Sequence, residues 1–256
     1  MVHDAWAFGC YRKWQTHHLE RHHSEIQNAA RCRDHKPKKP HVVYVWAMSM
    51  NEYSKILVFD TETTGLPADY KASVKAVHNW PRVVSLGMAL QIRGKELQTY
   101  RCIVKPDGFK VPREASDIHG ITHEQAMDEG IPLTEALDAF EFWLNGCDVL
   151  VAHNMSYDRP VLGCELYRMG RKPIFSPTME RICTKESTTD YLQLPGKYGY
   201  KWPTLSELHI HLFGEDFEGA HDALDDVMAT LRCFNELRKR GTFVDGEFLP
   251  TQHRKQ

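Results

Sequence analysis

Two carboxylates one residue apart, Asp60 and Glu62, close the apolar run Ile56-Leu57-Val58-Phe59. In a strand, residues i and i+2 share a face. The pair would therefore stand side by side at the end of a buried strand, with Gly65 letting the chain turn away. Carboxylates held that close repel each other unless a cation lies between them. The plainer alternative is a solvated strand end before a turn. Two more acids occupy comparable junctions. Asp158 falls in the first turn of a helix expected over 157–169. Asp226 lies near the start of a helix expected over 220–240, on the edge of an apolar stripe made by Leu224, Val227, Met228, Leu231 and Phe234. At about 100° per residue Asp225 lies further round, toward solvent. His221 stands at the entry to that helix. Each of these has a structural explanation of its own, because helix N-termini favour acids and polar caps.

The elements that must position these groups follow an α/β pattern from residue 55 onward. After the strand bearing Asp60 come apolar runs over 83–92 and 97–104, joined by the polar tetrad Arg93-Gly94-Lys95-Glu96, which reads as a hairpin. The first three strands thus form an antiparallel meander. Residues 118–122 read as a polar loop. A helix is expected over 134–144, with Thr134 able to cap its start. The short, uninterrupted apolar run 148–152 reads as a central strand and ends at His153-Asn154. A fifth strand is weakly marked, with 182–184 the best placement. Thr204 and Glu207 have capping-box spacing for a helix over 205–213. Between these, Lys197-Tyr198-Gly199-Tyr200-Lys201-Trp202 interleaves cations with aromatics. That mixture suits a strand of nucleic acid, where bases stack and phosphates pair; the alternative is a loop whose rings pack inward.

Composition bounds the rest. A chain of 256 residues holds one good-sized domain plus an extension. Its net charge of −2 rules out a polycation built for duplex DNA, though a local basic groove would suffice for nucleic acid. Seven scattered cysteines without a CxxC pair fit a reducing compartment better than a disulfide framework. No apolar run is long enough for a membrane helix. Residues 1–47 differ in character from the remainder of the chain: they hold eight Lys/Arg against four Asp/Glu, and seven of the fifteen histidines. The expected organisation is a His-rich basic extension over 1–50, a catalytic domain over 51–241 and a short polar tail over 242–256. Translation starting at Met48 or Met50 would explain the abrupt loss of globular pattern upstream. A zinc site built from His17, His18, His22, His23, Cys10 and Cys32 matches no familiar finger spacing.

Jointly, the acids resemble the DEDDh (DnaQ-like) family of 3′-5′ exonucleases. The likeness runs over about residues 54–240 through Asp60-Thr61-Glu62-Thr63-Thr64-Gly65-Leu66, then His153-Asn154-Met155-Ser156-Tyr157-Asp158, then His221-x-Ala223-x-x-Asp226. It is nearest to the epsilon subunit of bacterial DNA polymerase III and its stand-alone bacterial and phage relatives. The resemblance implies a ribonuclease H-like fold, a mixed five-stranded sheet flanked by helices. It implies two divalent ions, Mg²⁺ or Mn²⁺, held by Asp60, Glu62, Asp158 and Asp226, with His221 as general base. By the same likeness Glu114 and His119, with Thr61, Thr63, Gly65, Leu66 and Asn154, would hold the terminal nucleotide. The implied partner is a nucleic acid 3′ end, single-stranded DNA first and RNA as the alternative, with a DNA polymerase a further partner and a bacterial or phage cytoplasmic setting. With about fifteen residues after Gly241, a free-standing enzyme is expected over a replisome subunit. A non-catalytic accessory module would require a broken acid set, and none of the four acids is missing.

Overall fold

A computed structural model describes residues 53–241, 243–244 and 247–248 of the chain. The expectations for 1–50 and for the rest of the tail lie outside the described residues.

The run that carries the paired acids becomes the middle of a five-stranded sheet. Strand β1 (Lys55–Thr63) pairs antiparallel with β2 (Val83–Ile92) and parallel with β4 (Val149–Ala152). Beyond them β3 (Glu96–Ile103) lies antiparallel to β2, and β5 (Glu180–Cys183) lies parallel to β4, giving the order β3-β2-β1-β4-β5. This is the expected mixed sheet with its leading meander. The fifth strand starts two residues before its expected position.

Alternation along β1 feeds two different cores. Leu57 and Phe59 point into a layer that includes Phe140 of α3 (Leu133–Leu144) and Val161 and Leu162 of α4 (Met155–Arg168). Ile56 and Val58 point the other way, against Val227, Leu231 and Phe234 of α8 (Ala223–Lys239). Both faces of β1 are therefore dry, and its apolar residues run without a break. Burial of large side chains on each face contributes about 1.5–3 kcal/mol apiece relative to exposure.

The stretch expected as a loop around 118–122 is helical on both sides. Helix α1 (Arg113–His119) stops at Gly120, whose φ of 76° is a left-handed cap, and Thr122 then caps α2 (His123–Glu129) by accepting from the Gln125 N–H. Helices of seven residues are too short to display an apolar period. Thr134 does not cap α3; the N-cap is Pro132, and no side chain caps it. After β5 the chain forms two four-residue helices, α5 (Thr184–Ser187) and α6 (Thr189–Leu192), and a small hairpin of β6 (Pro195–Gly196) and β7 (Gly199–Tyr200). Helix α7 (Leu205–Phe213) carries the expected capping box of Thr204 and Glu207. A last strand pair, β8 (Phe243–Val244) and β9 (Glu247–Phe248), comes after α8.

One close approach sets the position of α8. Gly87 on β2 is the cross-strand partner of Asp60. A Cβ at Gly87 would lie 2.3 Å from the Ala223 carbonyl oxygen and 2.8 Å from the Leu224 nitrogen. Only glycine lets the first turn of α8 rest on the sheet there.

Candidate active site

The same alternation that divides the core decides where each acid goes. Asp60 and Glu62 continue the Ile56/Val58 face, so they emerge toward α8, whose first turn carries Asp226. Oxygen atoms from Asp60, Glu62 and Asp226 all lie within 4.8 Å of one another. Thr61 continues the opposite face, toward α4. There its hydroxyl donates to Asp158 Oδ1 at 2.6 Å, and its backbone N–H donates to the same oxygen at 3.1 Å. Asp158 is thus clamped from β1 and presses on the cluster from the α4 side. All four acids sit at one end of the sheet, although Asp158 is not one of the three mutually closest.

Their protonation shows the strain of this arrangement. Burial raises the Asp60 carboxyl well above the carboxylate range, and the charges of Asp158, Asp226 and Glu62 raise it further. Glu62 is pushed up to about 8, by burial first and by Asp226 and Asp158 next. Asp226 is pushed up to about 6 by burial, with His221 pulling the other way through its ring and its backbone. Asp158 also rises through burial, and the two Thr61 hydrogen bonds oppose the rise. Four carboxylates in one desolvated corner cannot all be ionised near neutral pH without a compensating positive charge. The donors are all oxygen, which suits a hard divalent cation such as Mg²⁺ or Mn²⁺.

Two positions in the motifs have backbone that L-residues rarely adopt. Asn154, just ahead of α4, has a φ of 143°, and His221, just ahead of the α8 cap, has a φ of 70°. Strain of this kind costs about 1–3 kcal/mol per residue and collects at functional sites. The α8 cap itself is Asp222, which accepts from the Leu224 and Asp225 N–H groups and pairs with Arg101 at 2.6 Å. That leaves His221 exposed and outside the capping arrangement. His119 Nδ1 accepts from the Ile121 N–H at 3.1 Å, which assigns the ring proton to Nε2, a buried atom with no well-aligned hydrogen-bond partner among the described residues. Burial holds the His119 pKa down, the backbone of Thr63 opposes the shift, and His221 lowers it a little further, so the two rings are electrostatic neighbours.

The remaining expected residues divide into two groups. The Thr63 hydroxyl donates to the Gly65 carbonyl at 2.8 Å, and the Tyr157 hydroxyl donates to the same oxygen at 2.7 Å. These bonds fix the turn at Gly65, whose φ of 143° favours glycine. Tyr157 was not singled out by the sequence; its place beside Asp158 in the second motif was the available signal. Leu66 projects from this turn and is exposed. Asn154 Oδ1 accepts from Lys185 Nζ at 3.2 Å. Glu114 is exposed in the first turn of α1, and no hydrogen bond ties it to the acids among the described residues. His153 is half-buried, its Nε2 donating to the Pro203 carbonyl at 3.2 Å and its Nδ1 accepting from Thr184.

Known proteins agree with this geometry. The sequence profile of the exonuclease family (RNase_T) matches residues 57–234. The DNA polymerase III subunit epsilon of Treponema pallidum is 25% identical over 77% of this chain and 82% of its own. An uncharacterized exonuclease of Escherichia phage 186 is 31% identical over 72% of this chain and 89% of its own. Among solved structures, the nuclease domain of 3′hExo, a DEDDh family member bound to rAMP, superposes with a TM-score of 0.57 at 17% identity, covering 75% of this chain and 94% of that one. The chain belongs to the exonuclease family and, within it, to the DnaQ-like 3′-5′ exonucleases, on a ribonuclease H-like fold. The family works with divalent metal ions, and the acidic cluster that would hold them is present.

Proposed function

We propose that the protein removes nucleotides from the 3′ ends of single-stranded DNA, using two divalent ions held by Asp60, Glu62, Asp158 and Asp226. The observation that carries this reading is the convergence of three carboxylates within 4.8 Å from β1 and α8, with Asp158 clamped beside them by Thr61. When bound, such ions polarise the attacking water and neutralise charge developing on the phosphate and the leaving oxygen. The protein's own groups do the rest. His221, exposed at the entrance to α8, takes the proton from the attacking water as general base. Nε2–H of His119, the backbone around Thr61, Thr63 and Gly65, and the side chains of Leu66, Asn154 and Glu114 hold the terminal nucleotide. The products are 5′-mononucleotides.

DNA is preferred over RNA because relatives are named as DNA polymerase III subunits. The RNA reading rests on one fact, that the DEDDh nuclease domain compared above holds an adenosine ribonucleotide. Partnership with a DNA polymerase and a bacterial or phage cytoplasmic setting are proposed on the same relatives. The catalytic unit is proposed to span 51–241, between the extension over 1–50 and the tail over 242–256. Among the described residues no helix is long and apolar enough to cross a membrane.

A panel of 5′-labelled single-stranded, duplex and mismatched DNA, with matching RNA, digested in Mg²⁺ and in Mn²⁺, tests the proposal. Stepwise shortening of single-stranded DNA from the 3′ end is expected, and it should vanish in Asp60→Ala and Asp226→Ala. Undiminished cutting by either variant would refute the assignment. Faster trimming of RNA than of DNA would replace the substrate.

A further inference from the structure

The hairpin β6–β7 presents an unusual surface. Its two turn residues are Lys197 and Tyr198, set between the paired Gly196 and Gly199. Tyr198 is 91% exposed, Trp202 60% and Tyr200 52%. Each such ring could bury about 150–250 Å², so three rings left half or more exposed forgo part of that hydrophobic gain. Cations are interleaved with them: Lys197 Nζ lies 5.0 Å from the Tyr198 ring and Lys185 Nζ 5.1 Å from the Trp202 ring. The rings did not pack inward, which was the alternative the sequence allowed.

The base of this hairpin is fastened to the second acidic motif. Lys185, which lies against Trp202, also donates to Asn154 Oδ1 at 3.2 Å. His153 donates to the carbonyl of Pro203, next in chain to Trp202. Four residues beyond Asn154, in the first turn of α4, is Asp158. On the far side, Lys201 pairs with Glu207 of the α7 capping box. The hairpin is closely drawn together: a Cβ at Gly196 would lie 2.9 Å from the Gly199 carbonyl oxygen. An aromatic and cationic finger is therefore anchored at its base to the motif that carries Asp158.

We infer that this hairpin is a stacking platform for an unpaired strand, on which bases upstream of the terminal nucleotide lie against Trp202, Tyr200 and Tyr198 while Lys185 and Lys197 face their phosphates. The inference rests on the nuclease reading for the position of the 3′ end. The chemistry of occupancy is that of single-strand binding in general: every base offers a π face, and a basic surface tracks the backbone. Recognition is then tolerant of sequence and sensitive to strand length and salt.

The test measures binding apart from cutting. Fluorescence anisotropy of labelled dT15, with EDTA present so that no strand is hydrolysed, is compared between the full chain and the double variant Tyr198→Ala, Trp202→Ala. Loss of two stacking contacts should weaken dT15 binding at least about tenfold. Hydrolysis of dT2 in Mg²⁺, too short to reach the platform, should be unchanged, and Trp202→Phe should restore much of the affinity. Unchanged dT15 affinity in a folded double variant would overturn the platform, as would an equal loss on dT2. If the wild-type chain binds dT15 through these rings but hydrolyses neither oligonucleotide, the platform stands and the nuclease reading falls. If hydrolysis is normal and binding ignores the rings, the reverse holds.

Discussion

Gly87→Ala tests the claim that backbone contact between sheet and helix builds the acidic cluster. The new methyl would sit 2.3 Å from the Ala223 carbonyl oxygen and 2.4 Å from its carbonyl carbon, both backbone atoms. Relieving only the oxygen contact, to the 3.0 Å below which real Cβ atoms are essentially never found, requires the start of α8 to retreat about 0.7 Å (3.0 less 2.3). Asp226 rides on that turn, so it withdraws from Asp60, the residue opposite Gly87. Displacements near 1 Å at a reacting centre cost about 10²-fold in rate. Overpacking of this kind destabilises by about 1–3 kcal/mol, or roughly 2–4 °C per kcal/mol for a domain of this size. The assay is the initial rate of shortening of a 5′-labelled oligonucleotide across a Mn²⁺ titration, with thermal unfolding followed in parallel. The expected result is a rate lower by about 10–10²-fold, with a higher Mn²⁺ concentration at half-maximal rate. A variant that melts early but keeps the wild-type Mn²⁺ dependence would show that Gly87 serves packing alone. One that keeps both would refute the argument.

Four further outcomes are expected of the site. In the metal-free protein, Glu62 rises from 4.5 to about 8 and Asp226 from 3.8 to about 6. The folded state therefore binds more protons than the unfolded chain between about pH 4 and pH 8, and stability falls as pH rises through that window. Thermal melts from pH 5 to 8 should show this decline, with Mn²⁺ raising the melting temperature more at pH 8 than at pH 5; a flat profile would contradict the mutual repulsion. Asp226→Asn should melt higher than wild type at pH 8 without metal while losing hydrolysis, because one repelling charge is gone; a lower melting point would count against it. Thr61→Val removes the 2.6 Å hydrogen bond to Asp158 and should destabilise by about 1–3 kcal/mol, with slower turnover; wild-type melting and rate together would dismiss the clamp. His221→Ala should slow turnover about 10²–10⁴-fold while calorimetric Mn²⁺ binding stays near wild type; loss of metal binding would assign His221 a different role.

Much of this arrangement was legible in the residues because the signals were periodic or paired. Alternation put Asp60 and Glu62 on one face, and the 100° step placed Asp226, not Asp225, against the sheet; Asp225 is exposed. The Thr204/Glu207 box read correctly because both halves of a reciprocal cap appear in the sequence. What stayed hidden was of two kinds. Short elements such as α1 and α2 carry too few residues for a pattern to emerge. Long-range fits, such as the Gly87–Ala223 contact and the Thr61–Asp158 clamp, join segments about a hundred residues or more apart, and nothing local announces them. Thr61 is the instructive case: its hydroxyl is committed to holding Asp158, whereas the sequence offered it only as a contact for the terminal nucleotide.

Strand β1 addresses both layers at once, handing its even-numbered carboxylates to α8 and its odd-numbered threonines to α4. A single residue inserted or deleted between Ile56 and Phe59 would exchange those assignments, turning Asp60 and Glu62 toward the α4 layer and Thr61 toward α8. No side chain would have been lost, yet the acids would no longer face one another. The spacing inside β1 is thus part of the site, and transplanting it to another sheet would require moving residues 56–62 as one indivisible block.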